Sequence, residues 1–399
     1  MNSVDLAAFF LYFCGQKSEK SVDMNLHRRY FASLLLAFVG LTGLSAQTIR
    51  IGVMLPLNDD SNDGKHMVEY YRGVLMACDS LKTLGQTIDV HAWNTTEEEN
   101  LDRILKDPAA SRCDFIIGPF YSRQVRPLSE FTSRHGIKLV IPFSIVAPVV
   151  YSNPSVFQIW QSSNDLTKQS INYFLSVFKD RHPVFIDCND PDSKKGTFTY
   201  GLRRKLEELG IGYNLTNLKT SERMFSKAFV LDQPNVVILN SSGSQELGVA
   251  LAKIDGLRRN YPHLQIAIMG YSEWLDYTHH YLEQFYRNNV YIPTTYYTNP
   301  LSSQSSRLKQ KYRWNFHQDM MSVKPVYALS GFDHTMFFLK GLRKYGKKFT
   351  GENGQLKDKA VQTPLQFEHI GNGGYRNRAC LLVHYTPDHR IETVEWTND

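Results

Sequence analysis

The chain is predicted to be an α/β protein of two doubly wound lobes with parallel sheets, joined by crossovers. Short apolar runs alternate with amphipathic segments from Ile49 to Ser144, and each run ends in Pro, Gly, Asn or Ser, the pattern of a parallel sheet covered by helices. The same alternation starts again after Trp160. The 399 residues exceed what a single core usually organises. About a dozen strands divide better between two twisted sheets than they fill one.

The first segment to account for is Met24 to Ala46, with its basic start, apolar middle and small-residue end. It reads as a secretory signal peptide. Its apolar part, Phe31 to Leu44, is shorter than the roughly 20 residues of a membrane span. Residues 1–23 carry a separate apolar run with no basic cluster before it and read as a non-native upstream extension. The expectation is an exported protein of the periplasm or cell envelope.

Strand Ile49–Leu57 opens the first lobe, followed by a polar loop and helix Met67–Leu84, which sets Tyr71, Val74, Leu75, Cys78 and Leu81 on one face. Next come strand Ile88–Trp93, a charged helix, the short buried strand Phe115–Gly118, helix Arg123–His135 and strand Lys138–Phe143. The second series begins after Phe157–Trp160: helix Ile171–Phe178, strand Val184–Asp187, helix Tyr200–Leu209 and strand Val236–Leu239. It continues with helix Gln245–Arg258, strand Gln265–Met269, an aromatic helix Glu273–Tyr286 and strand Val290–Thr294. Two helices follow, around Arg307–Gln318 and Val326–Tyr345. Short strands Leu365–Glu368, Ala379–Tyr385 and Ile391–Glu395, separated by GNGG and TPDH turns, suit antiparallel additions to a sheet edge. The expected first lobe is 47–158 with 296–360, the second 159–295 with 361–399, and the crossovers lie near Phe157, Tyr291 and Thr363.

The net charge of +6 includes the basic signal region, and the rest mixes signs along helices such as GLRRKLEELG. That is a solvated surface, and no nucleic acid partner is expected. Cys78, Cys113, Cys188 and Cys380 show no C-x-x-C spacing and read as buried free thiols. DCNDPD, from Asp187, imitates a calcium loop in composition, but its acidic spacing is wrong and Phe198 falls where a bidentate Glu belongs. No H-E-x-x-H, G-x-S-x-G or G-x-x-x-x-G-K-[ST] occurs. No catalytic residue, metal or cofactor is expected, and the chain is read as a binding protein rather than an enzyme.

The segments RIGVMLPL, EYYRGVLMACDSL, DFIIGPFYS, IKLVIPFS, MGYSEW, VYIPTTYY, YALSGFDHTMFFLKGL and FEHIGNGGYRNRACLLVHY, in this order, resemble the type I periplasmic-binding fold with its two Rossmann-like lobes. The resemblance is to the branched-chain amino acid receptor type found in bacteroidete envelope proteins, some of which carry LysM modules, and it covers nearly all of 48–397. It implies a small ligand, whether an amino acid, a peptide or a cell-wall fragment, captured between the lobes by hinge closure. It also implies that a ligand carboxylate is held by Ser122, with Tyr121 beside it, and by Ser144. Short hydroxyl residues next to the open N–H groups of a helix start make an anion site without a buried cation. The same serines would serve equally as a helix cap and a strand end. For the ligand's amine the resemblance points to Glu246, which also suits the first turn of any helix. Where the family often has a tyrosine before the glycine of the loop after a second-lobe strand, this chain has Lys195 before Gly196. That departure weakens an amino acid specificity and suits an acidic or larger ligand. The implied partners are a small-molecule ligand with a membrane transporter, or a cell-wall synthesis partner. In the latter case the chain resembles the outer-membrane activators of peptidoglycan synthases, a ligand-free scaffold acting by protein contact.

Overall fold

A computed structural model describes residues 48–396 except 59, 97–100, 146, 353 and 357–358. The expected signal peptide and upstream extension lie outside these residues. The apolar runs pair in parallel as β1 (Ile49–Leu55), β2 (Ile88–Asn94), β3 (Phe115–Ile117), β4 (Lys138–Ile141) and β5 (Val156–Gln158), in the order β2-β1-β3-β4-β5. The second series repeats that order with β6 (His182–Asp187), β7 (Asn214–Asn217), β8 (Asn235–Leu239), β9 (Ile266–Met269) and β10 (Val290–Thr294), as β7-β6-β8-β9-β10. Helices cover both faces of such sheets, so β8 and β9 are buried at every residue. In each sheet the strand order reverses between the first and third strands of its series. The crevice outside the carboxyl ends there is where doubly wound sheets receive ligands.

The helices are α1 (Asn62–Lys82), α2 (Asp102–Leu105), α3 (Ser122–His135), α4 (Ser163–Val177), α5 (Gly196–Glu208), α6 (Glu222–Ser226), α7 (Ser244–Asn260), α8 (Thr278–Arg287), α9 (Ser303–Phe316) and α10 (Tyr327–Tyr345). The aromatic helix expected from Glu273 is split, because a 3-10 segment, Ser272–Tyr277, precedes α8. In the first lobe α10 lies along α1 at close range. A Cβ at Gly73 would strike the Ala328 carbonyl, and one at Gly331 the Tyr70 carbonyl, so only glycine permits this approach. Between these helices and α9, buried Glu69 accepts hydrogen bonds from the Met321 N–H at 3.0 Å and from the Tyr312 hydroxyl. Tyr70 pairs with His334 Nδ1 at 3.0 Å. No helix among the described residues is long and apolar enough to cross a membrane.

The C-terminal strands do not all join the second lobe, as the expected boundary at 361 requires. β11 (Phe367–His369) and β12 (Tyr375–Asn377) extend the first sheet, with β12 parallel to β5, while β13 (Cys380–Tyr385) and β14 (Ile391–Trp396) extend the second. The cause is aromatic packing on β5: Tyr375 stacks on Phe157 with centroids 4.7 Å apart, and buried Phe367 meets the same ring edge-on at 5.3 Å. The third crossover is therefore at residues 378–379, not near Thr363. The segment 361–363 buttresses the hinge instead. Asp333 of α10 accepts the N–H groups of Val361, Gln362 and Thr363 at 2.8–2.9 Å, and the Gln362 carbonyl accepts from Tyr297 N–H at 2.9 Å.

The crossovers are tied to one another. Gln161 Nε2 donates to the Ala379 carbonyl at 2.6 Å, and the Cys380 thiol to Thr294 O at 3.3 Å. Arg378 pairs with Asp165 at 3.0 Å. Lys324, between α9 and α10, also reaches the second lobe, bonding Asp276 at 2.8 Å and the Leu275 carbonyl at 3.1 Å. The four cysteines of the described residues are buried and unpaired, as expected, and burial pushes each thiol up to about 12.

Candidate functional site

A cavity of about 430 Å³ opens in the second lobe at the carboxyl ends of β9 and β10, against the starts of α4 and α5. α4 begins well before the expected Ile171 because Ser162 caps it, accepting the Asp165 N–H at 3.1 Å. The polar first turns that this adds are what bring Ser163, Asn164 and Thr167 to the cavity wall. α5 starts at Gly196 with no side-chain cap, placing Lys194, Lys195 and Thr197 on the opposite wall. Cys380 and Thr294, both hydrogen-bonded within the hinge, complete the lining.

One charged pair dominates this space. Lys195 Nζ lies 2.6 Å from Glu273 Oε1 and 4.7 Å from the centre of the Tyr271 ring, so the ammonium is held by an ion pair and a ring face together. Tyr271 is itself fixed: its hydroxyl donates to the Leu239 carbonyl, and Phe198 meets the ring edge-on at 5.9 Å. Burial drives the Tyr271 phenol well above its ordinary range, with Cys188 and Glu273 adding to the rise. The phenol is therefore a neutral donor at physiological pH. Hydroxyls, a lysine, a carboxylate and aromatic faces equip the cavity to bind and orient a ligand. Among the described residues no three His, Cys, Asp or Glu side chains gather to hold a metal ion, and two carboxylates of DCNDPD are engaged by protein groups, Asp187 accepting the Asn189 N–H at 2.9 Å and Asp190 the Ser241 hydroxyl at 2.6 Å.

None of the four residues singled out from the sequence lines this cavity. Ser122 is the first residue of α3 and is exposed, and half-buried Tyr121 precedes it as the N-cap without a side-chain cap bond. Ser144 is exposed in the bend after β4. All three stand at the carboxyl ends of β3 and β4, where Phe120, Phe143 and Tyr70 form a wall of rings with centroids 5.2–5.5 Å apart. Glu246 is half-buried in the first turn of α7, its carboxylate folded back over Gly243. Lys195 was legible as a cleft-edge lysine. Its partner Glu273 was not, although the MGYSEW segment that carries it stands directly after a strand, where site residues gather.

No family model and no curated relative matches the chain. Solved structures do match its fold. One, from Rhodospirillum rubrum and described as a branched-chain amino acid ABC transporter, aligns over 87% of this chain and 100% of its own at 12% identity, with a TM-score of 0.57. Another, LpoA of Haemophilus influenzae, aligns over 90% of this chain and 60% of its own at 14% identity, with a TM-score of 0.54. Two mostly parallel seven-stranded sheets, wound in the same order and joined by bundled crossovers, give this chain the type I periplasmic-binding fold.

Proposed function

We propose that the chain is an exported solute-binding or receptor-like protein of the cell envelope that holds a small ligand between its lobes. The observation that carries this reading is the second-lobe cavity, whose volume lies in the range of small-molecule sites and which sits at strand carboxyl ends beside the hinge. Ser122 and Ser144, with Tyr121, would meet the ligand from the first lobe, and Glu246 would take a ligand cation from the second. A ligand touching both lobes has differential affinity for the closed state and so drives closure. The Rhodospirillum neighbour supports a small-molecule ligand and a membrane transporter as partner.

A second reading, a scaffold acting by contact with a cell-wall synthesis partner, is favoured by a specific observation. Lys195 is already satisfied by Glu273, and Ser122 and Ser144 are exposed outside the cavity. The LpoA neighbour supports this alternative. A thermal-shift screen of the purified protein against amino acids, short peptides and peptidoglycan fragments separates the two. A ligand at a hundred times its dissociation constant stabilises the fold by about 2.7 kcal/mol. A shift lost in the Ser122→Ala, Ser144→Ala double variant is the result expected of the receptor. A cooperative melt that no compound moves would transfer the assignment to the scaffold.

A further inference from the structure

We infer that the second-lobe cavity binds a carboxylate-bearing ligand larger than a single amino acid, a short acidic peptide, whose acid group takes Lys195 from Glu273. The inference rests on the receptor reading and names the chemistry of its second-lobe half.

Charge and enclosure set the sign of the ligand. The lining carries Lys194 and Lys195 against the single carboxylate of Glu273. Lys195 is the enclosed partner of the pair, its side chain 22% exposed and seated on the ring of Tyr271, whereas Glu273 is 44% exposed. Beyond Lys195, Glu273 has the hydroxyl of Ser272 at 3.3 Å as a contact. An ion pair with one partner this accessible contributes little, so Glu273 turns to water at small cost when a better-placed anion arrives. A ligand cation faces the opposite situation. Binding Glu273 would strip the ammonium of Lys195 of its anion and leave two positive groups together in the cavity.

Volume and lining set the size and kind. A cavity of about 150 Å³ is filled by a benzene-sized molecule. The space here, about 430 Å³, takes a ligand roughly three times that, the size of a di- or tripeptide. Thr167, Thr197 and Thr295 offer hydroxyls that both donate and accept, matching peptide groups, and Tyr296 and Phe198 offer apolar faces. The uncapped start of α5 adds N–H donors on the wall that carries Lys195.

The test uses calorimetric titration of the purified protein with di- and tripeptides containing Asp or Glu, each paired with its Asn or Gln, C-terminally amidated counterpart. The expected result is binding by acidic members alone. Lys195→Met should weaken it roughly ten- to hundredfold, the range of a charge-assisted hydrogen bond. Glu273→Gln should strengthen it by about tenfold by removing the internal competitor. That gain separates competition from a merely structural pair, whose loss would leave affinity unchanged or lower. Unliganded melting temperatures of both variants control for folding. Equal binding of acidic and amidated peptides, or unchanged or weaker binding in Glu273→Gln, overturns the inference and leaves the receptor reading standing. Silence from every peptide overturns the inference, and silence extending to the amino acids and peptidoglycan fragments overturns the receptor reading as well.

Discussion

At the carboxyl ends of β3 and β4 aromatic rings close the space, whereas at those of β9 and β10 they leave it open. Phe120, Phe143 and Tyr70 pack into one another in the first lobe, and the serines beyond them face solvent. In the second lobe Tyr271 turns its hydroxyl inward to Leu239 and offers its face to Lys195, which keeps a cavity with a charge at its wall. The cores differ in the same sense. Buried side chains of the second lobe form one continuous cluster, while those of the first divide among three. One strand order thus supports two kinds of strand end, and the difference lies in loop residues that the sheet does not constrain.

The strongest way to break this comparison is to unfold one lobe without the other. Trp274 is fully buried in the second-lobe core between Tyr271 and Phe285, and Trp274→Ala should cost about 3–5 kcal/mol. In the first lobe Gly331→Leu would push a side chain into the α1 backbone at Tyr70, at a cost of about 3 kcal/mol. Native-state hydrogen exchange should show protection lost in the mutated lobe alone. Loss across both lobes would make them a single cooperative unit and the contrast between their cores irrelevant to stability.

A smaller effect sharpens the comparison by pH. Two adjacent buried groups on α10 titrate in opposite senses. Burial raises the Asp333 carboxyl from 3.8 to about 6 against the opposing hydrogen bonds from Thr363, Val361 and Gln362. Its contribution to stability is complete below 3.8 and is lost as pH rises to about 6. Burial also lowers the His334 imidazole from 6.5 to about 3, so its contribution is complete above 6.5 and is lost as pH falls. Between pH 4 and 6 the two slopes oppose each other, each about 1.4 kcal/mol per pH unit. Urea midpoints of the parent protein should therefore change little across this window. Asp333→Asn should leave stability rising with pH, and His334→Gln should leave it falling. Identical profiles for the two variants would refute the opposition.

The smallest expected effect is at the bridge between lobes. Lys324 and Asp276 are both about half exposed, so Lys324→Ala should change stability by less than about 1 kcal/mol in urea denaturation. A larger loss would show that this contact, rather than the bundled crossovers, fixes the lobes together.

The parallel core was legible in the sequence because strands buried on both faces announce themselves as apolar runs. β7 was not, since three of its four residues, NLTN, are polar and none is buried, as befits a strand at a sheet edge. β12 was missed and β11 misassigned because the partner of Tyr375 and Phe367 is Phe157, more than two hundred residues away, and local pattern carries no trace of that stack. The site was harder still. The polar turns that start α4 at Ser163 break the apolar periodicity by which helices are recognised, and they do so because they line a cavity. Lys195 could be noticed as an unusual residue at a loop, but its meeting with Glu273 across 78 positions is a product of the fold.

The placement of the last strands governs when this protein can finish folding. β11, β12, β13 and β14 all fall within residues 367–396, yet they complete two different sheets. Until that stretch leaves the ribosome, β5 and β10 each present an unpaired edge, and neither lobe can mature ahead of the other. A chain delayed in this way keeps an open edge in both lobes until residues 367–396 have been made, so one short segment sets the timing of two cores.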